Sequence, residues 1–125
     1  MPFAASAARS FVGATLRDGG VPVPPVDDFR LVISELVSNI IEHGAGCGFD
    51  VCIDLSLPDC WVVGIECAVA DGGPTLPDPA AWTVAAPDDP SGRGLGIVRA
   101  LMDDVAVSVV GGRLTINCSL HRRSS

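Results

Sequence analysis

The chain has few aromatic and few basic residues. It contains no tyrosine, and Phe and Trp make up 5% of its 125 residues. Eight basic residues stand against 15 acidic ones, giving a net charge of −7. A nucleic-acid-binding domain needs a basic face, so this composition argues against direct nucleic-acid binding. We interpret the one basic cluster, His121-Arg122-Arg123, as a solvated end.

Long apolar runs and metal-type cysteine pairs are also missing. No run of about twenty apolar residues is present to span a membrane. The N-terminus lacks a basic start followed by an apolar stretch, which argues against a signal peptide. The five cysteines include no Cys-x-x-Cys pair, and only two histidines accompany them. Zinc binding is therefore disfavoured, and we expect reduced thiols in a cytoplasmic protein with no membrane association.

Hydrophobic residues, at 48%, are sufficient for one core, so we predict a single domain over residues 1–125. Apolar residues that recur every three to four positions predict helices, and apolar residues that alternate with polar ones predict strands. The predicted order is helix, helix, strand, strand, long loop, helix, strand, strand. The predicted helices cover residues 4–17, 27–44 and 94–102, and the strands cover 49–56, 60–69, 105–110 and 114–120. The first and last strand pairs are predicted hairpins, the last with a Gly111-Gly112 turn.

Local signals predict how the first two helices begin and end. The first helix places four apolar residues on one side and stops at Asp18-Gly19-Gly20, since glycine accepts a left-handed cap. The apolar side consists of Phe3, Ala7, Phe11 and Ala14. Val21 to Pro25 reads as an extended connector, after which Asp27 or Asp28 caps the second helix. Three helices on one face of a mostly antiparallel four-stranded sheet make a two-layer α/β sandwich.

The second helix carries an unusual polar ridge. Within Leu31–Gly44 the apolar residues repeat every four positions, while Glu35, Asn39 and His43 step by four along one side. A carboxylate and a carboxamide amid aliphatic residues are costly to half-bury without partners. The ridge is therefore either a functional site or a solvent-facing edge, and its own periodicity does not decide between them.

Two further segments carry features that a core does not require. Asp71-Gly-Gly-Pro74 follows a predicted strand, where it fits either a ligand contact or an ordinary turn. Ser91-Gly-Arg-Gly-Leu-Gly96 opens the third helix, and free backbone N–H groups there suit phosphate binding. Neither the P-loop spacing nor the Rossmann spacing is present, and a flexible linker is the alternative. The Pro-rich loop between these segments is long for so small a domain, which is common for functional loops.

Taken together, the three segments resemble the ATP-binding boxes of the superfamily of gyrase, histidine kinases and serine-kinase anti-sigma factors (the Bergerat fold). They are Glu35-Leu-Val-x-Asn39-x-x-x-His43, Asp71-Gly-Gly-Pro74 and Gly92-Arg-Gly-Leu-Gly96. The resemblance is greatest to the small bacterial anti-sigma regulators and covers nearly the whole chain. One box alone would be weak evidence, whereas three in this order are specific.

The resemblance implies roles for individual residues. Glu35 resembles the catalytic base, and Asn39 resembles the residue that binds Mg²⁺ between the phosphates of ATP. Asp71 resembles the acceptor of the adenine amino group, with Gly73 beneath the ring. The implied lid over the phosphates spans about residues 74–96.

Further implied ATP contacts lie in the glycine segment and the last strand. Gly92, Gly94, Leu95 and Gly96 belong to the lid, and Arg93 would neutralise γ-phosphate charge or else be solvated. Thr115 resembles a strand hydroxyl near the adenine, although a threonine in a strand needs no such role. His43 would orient Glu35 or only cap the helix.

The resemblance implies an ATP-dependent protein serine kinase that binds a sigma factor and phosphorylates a small antagonist protein. The alternatives are a non-catalytic, ATP-gated binding module and a histidine-kinase-type ATP domain. The last is less favoured because no acceptor-histidine helix pair precedes the domain. Family members usually begin with an edge strand near a dimer contact, and Met1-Pro-Phe3 leaves little room for one. The resemblance thus allows a homodimer, and the short N-terminus argues against one.

Overall fold

The computed structural model describes residues 2–42, 48–68 and 90–122, with side chains for all of them except residues 2–3, 41–42 and 90–95. The helices and strands follow the predicted order. They are α1 (Pro2–Asp18), α2 (Val23–Glu42), β1 (Phe49–Asp54), β2 (Cys60–Ala68), α3 (Pro90–Leu101), β3 (Asp104–Val110) and β4 (Arg113–His121). None of the helices in these ranges is long and apolar enough to cross a membrane.

The four strands form one antiparallel sheet in the order β1-β2-β4-β3. Both predicted hairpins are present, and β4 joins them in the middle of the sheet. Gly111 and Gly112 connect β3 to β4 with φ of 58° and 77°, which glycine adopts without a steric cost. Alternation along β4 buries Leu114, Ile116 and Cys118 on one face and leaves its other face open.

Helix α2 is the centre of the helical layer because it contacts α1, α3 and β2. Its aliphatic residues Val32, Ile33, Leu36 and Val37 are at most 1% exposed. They join the inward residues of the sheet in one continuous core. The architecture is a two-layer α/β sandwich with the helices on one face, as the pattern predicts.

The apolar side predicted for α1 is not the side that the structure buries. The buried residues are Ala5, Ala8, Val12 and Leu16, whereas Phe11 is 51% exposed and Ala7 and Ala14 also face solvent. Both sides of α1 are apolar, so periodicity alone does not separate them. Contact with α2 decides, because small alanines allow close approach where a phenylalanine would hold the helices apart.

The end of α1 matches the prediction, but the start of α2 does not. The amide of Val21 donates to the Leu16 carbonyl and that of Gly20 to the Arg17 carbonyl, both at 3.0 Å, with Gly20 at a φ of 82°. This is the glycine-ended cap that the sequence predicts.

Helix α2 begins at Val23, so the predicted extended connector and aspartate cap are wrong. Pro24 and Pro25 lie in the first turn, where a missing N–H costs nothing because such amides have no partner within the helix. The amide of Val26 donates to the Pro22 carbonyl at 3.2 Å. Asp27 lies beyond this first turn and therefore does not cap the helix.

The two phenylalanines Phe11 and Phe29 test the corrected packing. Phe29 is fully buried and Phe11 is half-exposed, so the same truncation should have unequal effects. We expect Phe29→Ala to lower the free energy of unfolding by about 3–5 kcal/mol. Phe11→Ala should lower it by less than about 1 kcal/mol. Urea unfolding followed by circular dichroism measures both values, and equal losses would contradict this burial of α1.

The thiols of Cys52 and Cys118 are expected to react at different rates. Cys52 is exposed, whereas Cys118 is fully buried, and burial raises the pKa of its thiol to about 12. Because the thiolate is the nucleophile, an alkylating pulse near neutral pH should label Cys52 and spare Cys118. Peptide mass mapping measures the labelling, and unfolded protein, in which both react, is the control. Equal labelling of the folded protein would contradict the buried position of Cys118.

Candidate functional site

The polar ridge of α2 contains a buried carboxamide. Asn39 is only 7% exposed and is the one buried polar side chain in the part of the chain whose burial is described. Its Nδ2 donates to the backbone carbonyl of Glu35, one turn earlier, at 3.0 Å. Because the Glu35 carbonyl oxygen can accept a hydrogen bond only from the NH₂ group of the Asn39 side chain, this contact determines which end of that amide is the nitrogen. The side chain is therefore held against its own helix with Oδ1 on the other side.

Oδ1 of Asn39 is buried and accepts no hydrogen bond from any described residue. Leaving such a group unpaired costs about 1–3 kcal/mol, so natural proteins rarely keep one without a reason. A carboxamide oxygen is a ligand that a hard cation such as Mg²⁺ prefers. The orphaned oxygen therefore fits a metal ligand. Elsewhere in the described ranges, no group of three His, Cys, Asp or Glu side chains could hold a metal by itself.

Glu35 lies one helical turn before Asn39 on the same side of α2 and is partly buried. Its backbone carbonyl holds the Asn39 amide, so one residue both positions the carboxamide and offers a carboxylate beside it. Within the described ranges, no side chain forms an ion pair with that carboxylate. The structure thus brings Glu35 and Asn39 together, as the four-residue spacing predicts.

The glycine segment is helical, which corrects the predicted start of the third helix. Helix α3 begins at Pro90, four residues before the predicted Gly94. The lid predicted over residues 74–96 is therefore not a continuous loop, since residues 90–96 belong to α3. Gly92, Arg93, Gly94 and Leu95 fall within its first two turns, and Gly96 is buried.

Helix α3 contacts α2 through a buried face that includes Val98. This packing compensates for the low helix propensity of the three glycines, which explains why the loop prediction failed here. The first turn of a helix has free N–H groups and a partial positive charge. A phosphate-binding function for this segment would thus use the start of a helix rather than an open loop.

Several predicted site residues lie outside the described part of the chain. These are His43, Asp71, Gly73 and the lid up to residue 89. The described part of β2 ends at Ala68, three residues before Asp71. The predictions for Asp71 and Gly73 therefore stay predictions.

Thr115 does not join the ridge. It alternates with the inward-facing Leu114 and Ile116 on β4, so it lies on the sheet face opposite the helices. Its cross-strand neighbours are Glu66 and Ser108. Because α2 covers the other face, the Thr115 hydroxyl and the Asn39 amide lie on opposite sides of the sheet. The adenine contact predicted for Thr115 depends on where Asp71 lies, which is outside the described residues, so it stays a prediction.

Sequence reasoning identified the ridge but not what makes Asn39 distinctive. The bond from Nδ2 to the Glu35 carbonyl and the orphaned Oδ1 depend on side-chain orientation and on what packs nearby. An Asn four residues after a Glu in an aliphatic helix is the only signal available beforehand. That signal fits a solvent-facing pair equally well, and burial removes the ambiguity.

Comparison with known proteins identifies the family of the chain. The sequence profile described as "Histidine kinase-like ATPase domain" matches residues 2–118, nearly the whole chain. No curated protein matches the chain significantly. The three-helix layer and four-stranded antiparallel sheet agree with the fold of this family. A match of this extent shows that the chain belongs to the histidine kinase-like ATPase domain family.

Proposed function

We propose that the protein binds Mg-ATP beside the second half of α2 and transfers the γ-phosphate to a serine of a small partner protein. ATP binding is what membership of this ATPase family supports. The single observation that carries the assignment to this place is the buried Oδ1 of Asn39, one turn from Glu35, which has no hydrogen-bond partner among the described residues. Serine as the acceptor rests on the resemblance of the three sequence segments to anti-sigma kinases.

Asn39 would hold the metal through Oδ1, since its Nδ2 is already engaged by the Glu35 carbonyl. When bound, Mg²⁺ neutralises phosphate charge and orients the γ-phosphate for transfer. Asn39 needs no rearrangement for this role because the amide orientation exists before any ligand arrives. Such preorganisation lowers the cost of binding.

Glu35 would accept the proton of the attacking serine hydroxyl. The hydroxyl oxygen forms a bond to phosphorus, the bond from phosphorus to the β–γ bridging oxygen breaks, and the proton moves to the Glu35 carboxylate. The first turn of α3, with Arg93, would oppose the phosphate charge. Asp71 and Gly73 would bind the adenine, as the resemblance implies.

The proposed partners are a sigma factor and its small antagonist protein. Phosphorylating the antagonist would change which of the two binds the kinase, so ATP turnover would regulate transcription without contact with DNA. Support for these partners comes from the resemblance of the ATP-binding boxes to those of the anti-sigma regulators, and the acidic net charge of −7 agrees with a protein rather than a nucleic-acid partner.

A non-catalytic, ATP-gated binding module is the second candidate. What favours it is that membership of the family supports ATP binding and identifies no phosphate acceptor. In this alternative, ATP would bind at Asn39 and change the shape of the partner surface without phosphate transfer.

Asn39→Leu tests the proposed metal ligand. Leu has a similar volume and removes an unpaired buried oxygen, so the nucleotide-free protein should keep its free energy of unfolding within about 1 kcal/mol. Wild-type protein should gain about 2.7 kcal/mol from Mg-ATP at a hundred times its dissociation constant, and the variant should lose most of that gain.

Denaturant melts with and without Mg-ATP measure both quantities. Asn117→Leu is the matched control because Asn117 is exposed on the far face of the sheet and should leave the nucleotide effect intact. A full Mg-ATP gain in Asn39→Leu would contradict the assignment of the metal to Asn39. A large loss of stability without nucleotide would instead show that Oδ1 has a structural partner.

Glu35→Gln separates catalysis from binding. The substitution keeps the shape of the side chain and removes its proton-accepting charge, so phosphate transfer should fall by about 100-fold or more. The Mg-ATP gain in stability should persist. Transfer is measured with labelled ATP and a candidate antagonist protein.

Acid stability of the label identifies the acceptor, since phosphoserine survives acid and phosphohistidine does not. Undiminished transfer by Glu35→Gln would contradict its role as the base. Wild-type protein that binds ATP without any transfer would support the ATP-gated module.

A further inference from the structure

A pocket lies at the start of α2, at the opposite end of the helix from Asn39. It has a volume of about 490 Å³ and is formed where the start of α2 meets the end of α3 and the sheet. Its apolar lining includes Pro24, Pro25, Trp61 and Leu101. Asp28, which also lines it, precedes Asn39 by eleven residues in α2, or about 16 Å along the helix axis. The pocket is thus separate from the proposed nucleotide site.

Two carboxylates, Asp28 and Asp103, and the imidazole of His121 line this pocket beside its apolar residues. Asp103 is held in place because its Oδ2 accepts the backbone N–H of His121 at 2.7 Å and lies 3.9 Å from Nδ1 of the same residue. Asp28 forms no ion pair or hydrogen bond with any side chain that the structure describes. Burial and the neighbouring charge of Asp27 raise the pKa of Asp28. Both causes disfavour the charged form of the Asp28 side chain, so a bound cation would stabilise its carboxylate.

Trp61 supplies a surface that suits a guanidinium group. The guanidinium of Arg122 already lies 5.5 Å from the centre of the Trp61 ring. Arginine stacks on aromatic rings through its flat, weakly hydrated cation. Arg122 also donates to the Leu55 carbonyl, so its own position is determined outside the pocket. The ring environment therefore tolerates a guanidinium, and Arg122 does not line the pocket that contains Asp28 and Asp103.

We propose that this pocket binds an arginine side chain presented by a basic segment of a partner protein. The aliphatic part of the arginine would pack against Pro24, Pro25 and Leu101, and its guanidinium would pair with Asp28 and Asp103. The flat fork of arginine matches two carboxylates better than the point charge of lysine does. The net charge of −7 favours approach of a basic segment.

A protein segment fits better than free arginine because the pocket is open to solvent. A free amino acid must offset its whole loss of translational freedom with one side chain. A segment adds backbone contacts beside the pocket at little further cost. Prolines in the lining are already rigid, so few groups of the pocket need to be ordered on binding.

The experiment uses the full chain and a blocked pentapeptide, Gly-Ser-Arg-Ser-Gly, titrated to millimolar concentration. We expect saturable shifts of the Trp61 indole and of backbone amides around Asp28 in ¹⁵N NMR spectra. The same peptide with citrulline in place of arginine keeps the shape and removes the charge, and it should not bind measurably. Absence of saturable shifts with the arginine peptide overturns the proposal, as does equal binding of the citrulline peptide.

Asp28→Asn is expected to weaken peptide binding about fivefold, the effect of losing one partly buried ion pair. Asp27→Asn is the matched control, because it removes the same charge from the adjacent position without lining the pocket. It should change the affinity less than twofold. Thermal melts verify that both variants fold, and equal effects of the two would overturn the pocket as the site.

Two further binding measurements complete the test. Blocked free arginine that binds as tightly as the pentapeptide would overturn the partner-segment assignment in favour of a small organic cation. Asn39→Leu protein should bind the peptide like wild type, so failure of the proposed ATP site and failure of this pocket are distinguishable.

Discussion

The burial of α2 is the constraint on which the rest of the structure depends. This helix contacts α1, α3 and β2, and its inward residues Val32, Ile33, Leu36 and Val37 are at most 1% exposed. A helix surrounded in this way has little room for polar groups, since each one must find a partner or be compensated elsewhere. Both candidate sites lie on α2, at the two ends of its length. The arrangement of the other elements therefore decides what those sites contact.

Under the proposed function, Asn39 illustrates how a functional position differs from a core position. Its Nδ2 is paired with the Glu35 carbonyl, but its Oδ1 has no partner among the described residues. In a helix selected only for stability, an aliphatic residue of the same size would be the better choice. Proteins commonly lose some stability at a binding site, because polar groups that lack a hydrogen-bond partner in the free protein gain one when the ligand binds. Glu35 adds a carboxylate one helical turn from this buried amide.

The two ends of α2 differ in chemistry. The Asn39 end has a buried carboxamide one turn from the Glu35 carboxylate, which suits the hard cation that nucleotide phosphates carry. The Asp28 end combines carboxylates with proline and tryptophan, which suits a cationic side chain with an apolar stem.

Periodicity and turn residues were enough to predict the order of elements, both hairpins, the glycine cap of α1 and the spacing that puts Glu35 and Asn39 on one side of α2. These features depend on local geometry, so the residues themselves determine them. Tertiary packing decided the rest. It determined which of the two apolar sides of α1 is buried. It also allowed α2 to begin at its prolines and α3 to begin before its glycines, and it placed Thr115 on the face of the sheet opposite the helices. It also brought Asp28, Trp61 and Asp103 from separate elements into one pocket, because side-chain contacts between distant residues exist only after the chain has folded.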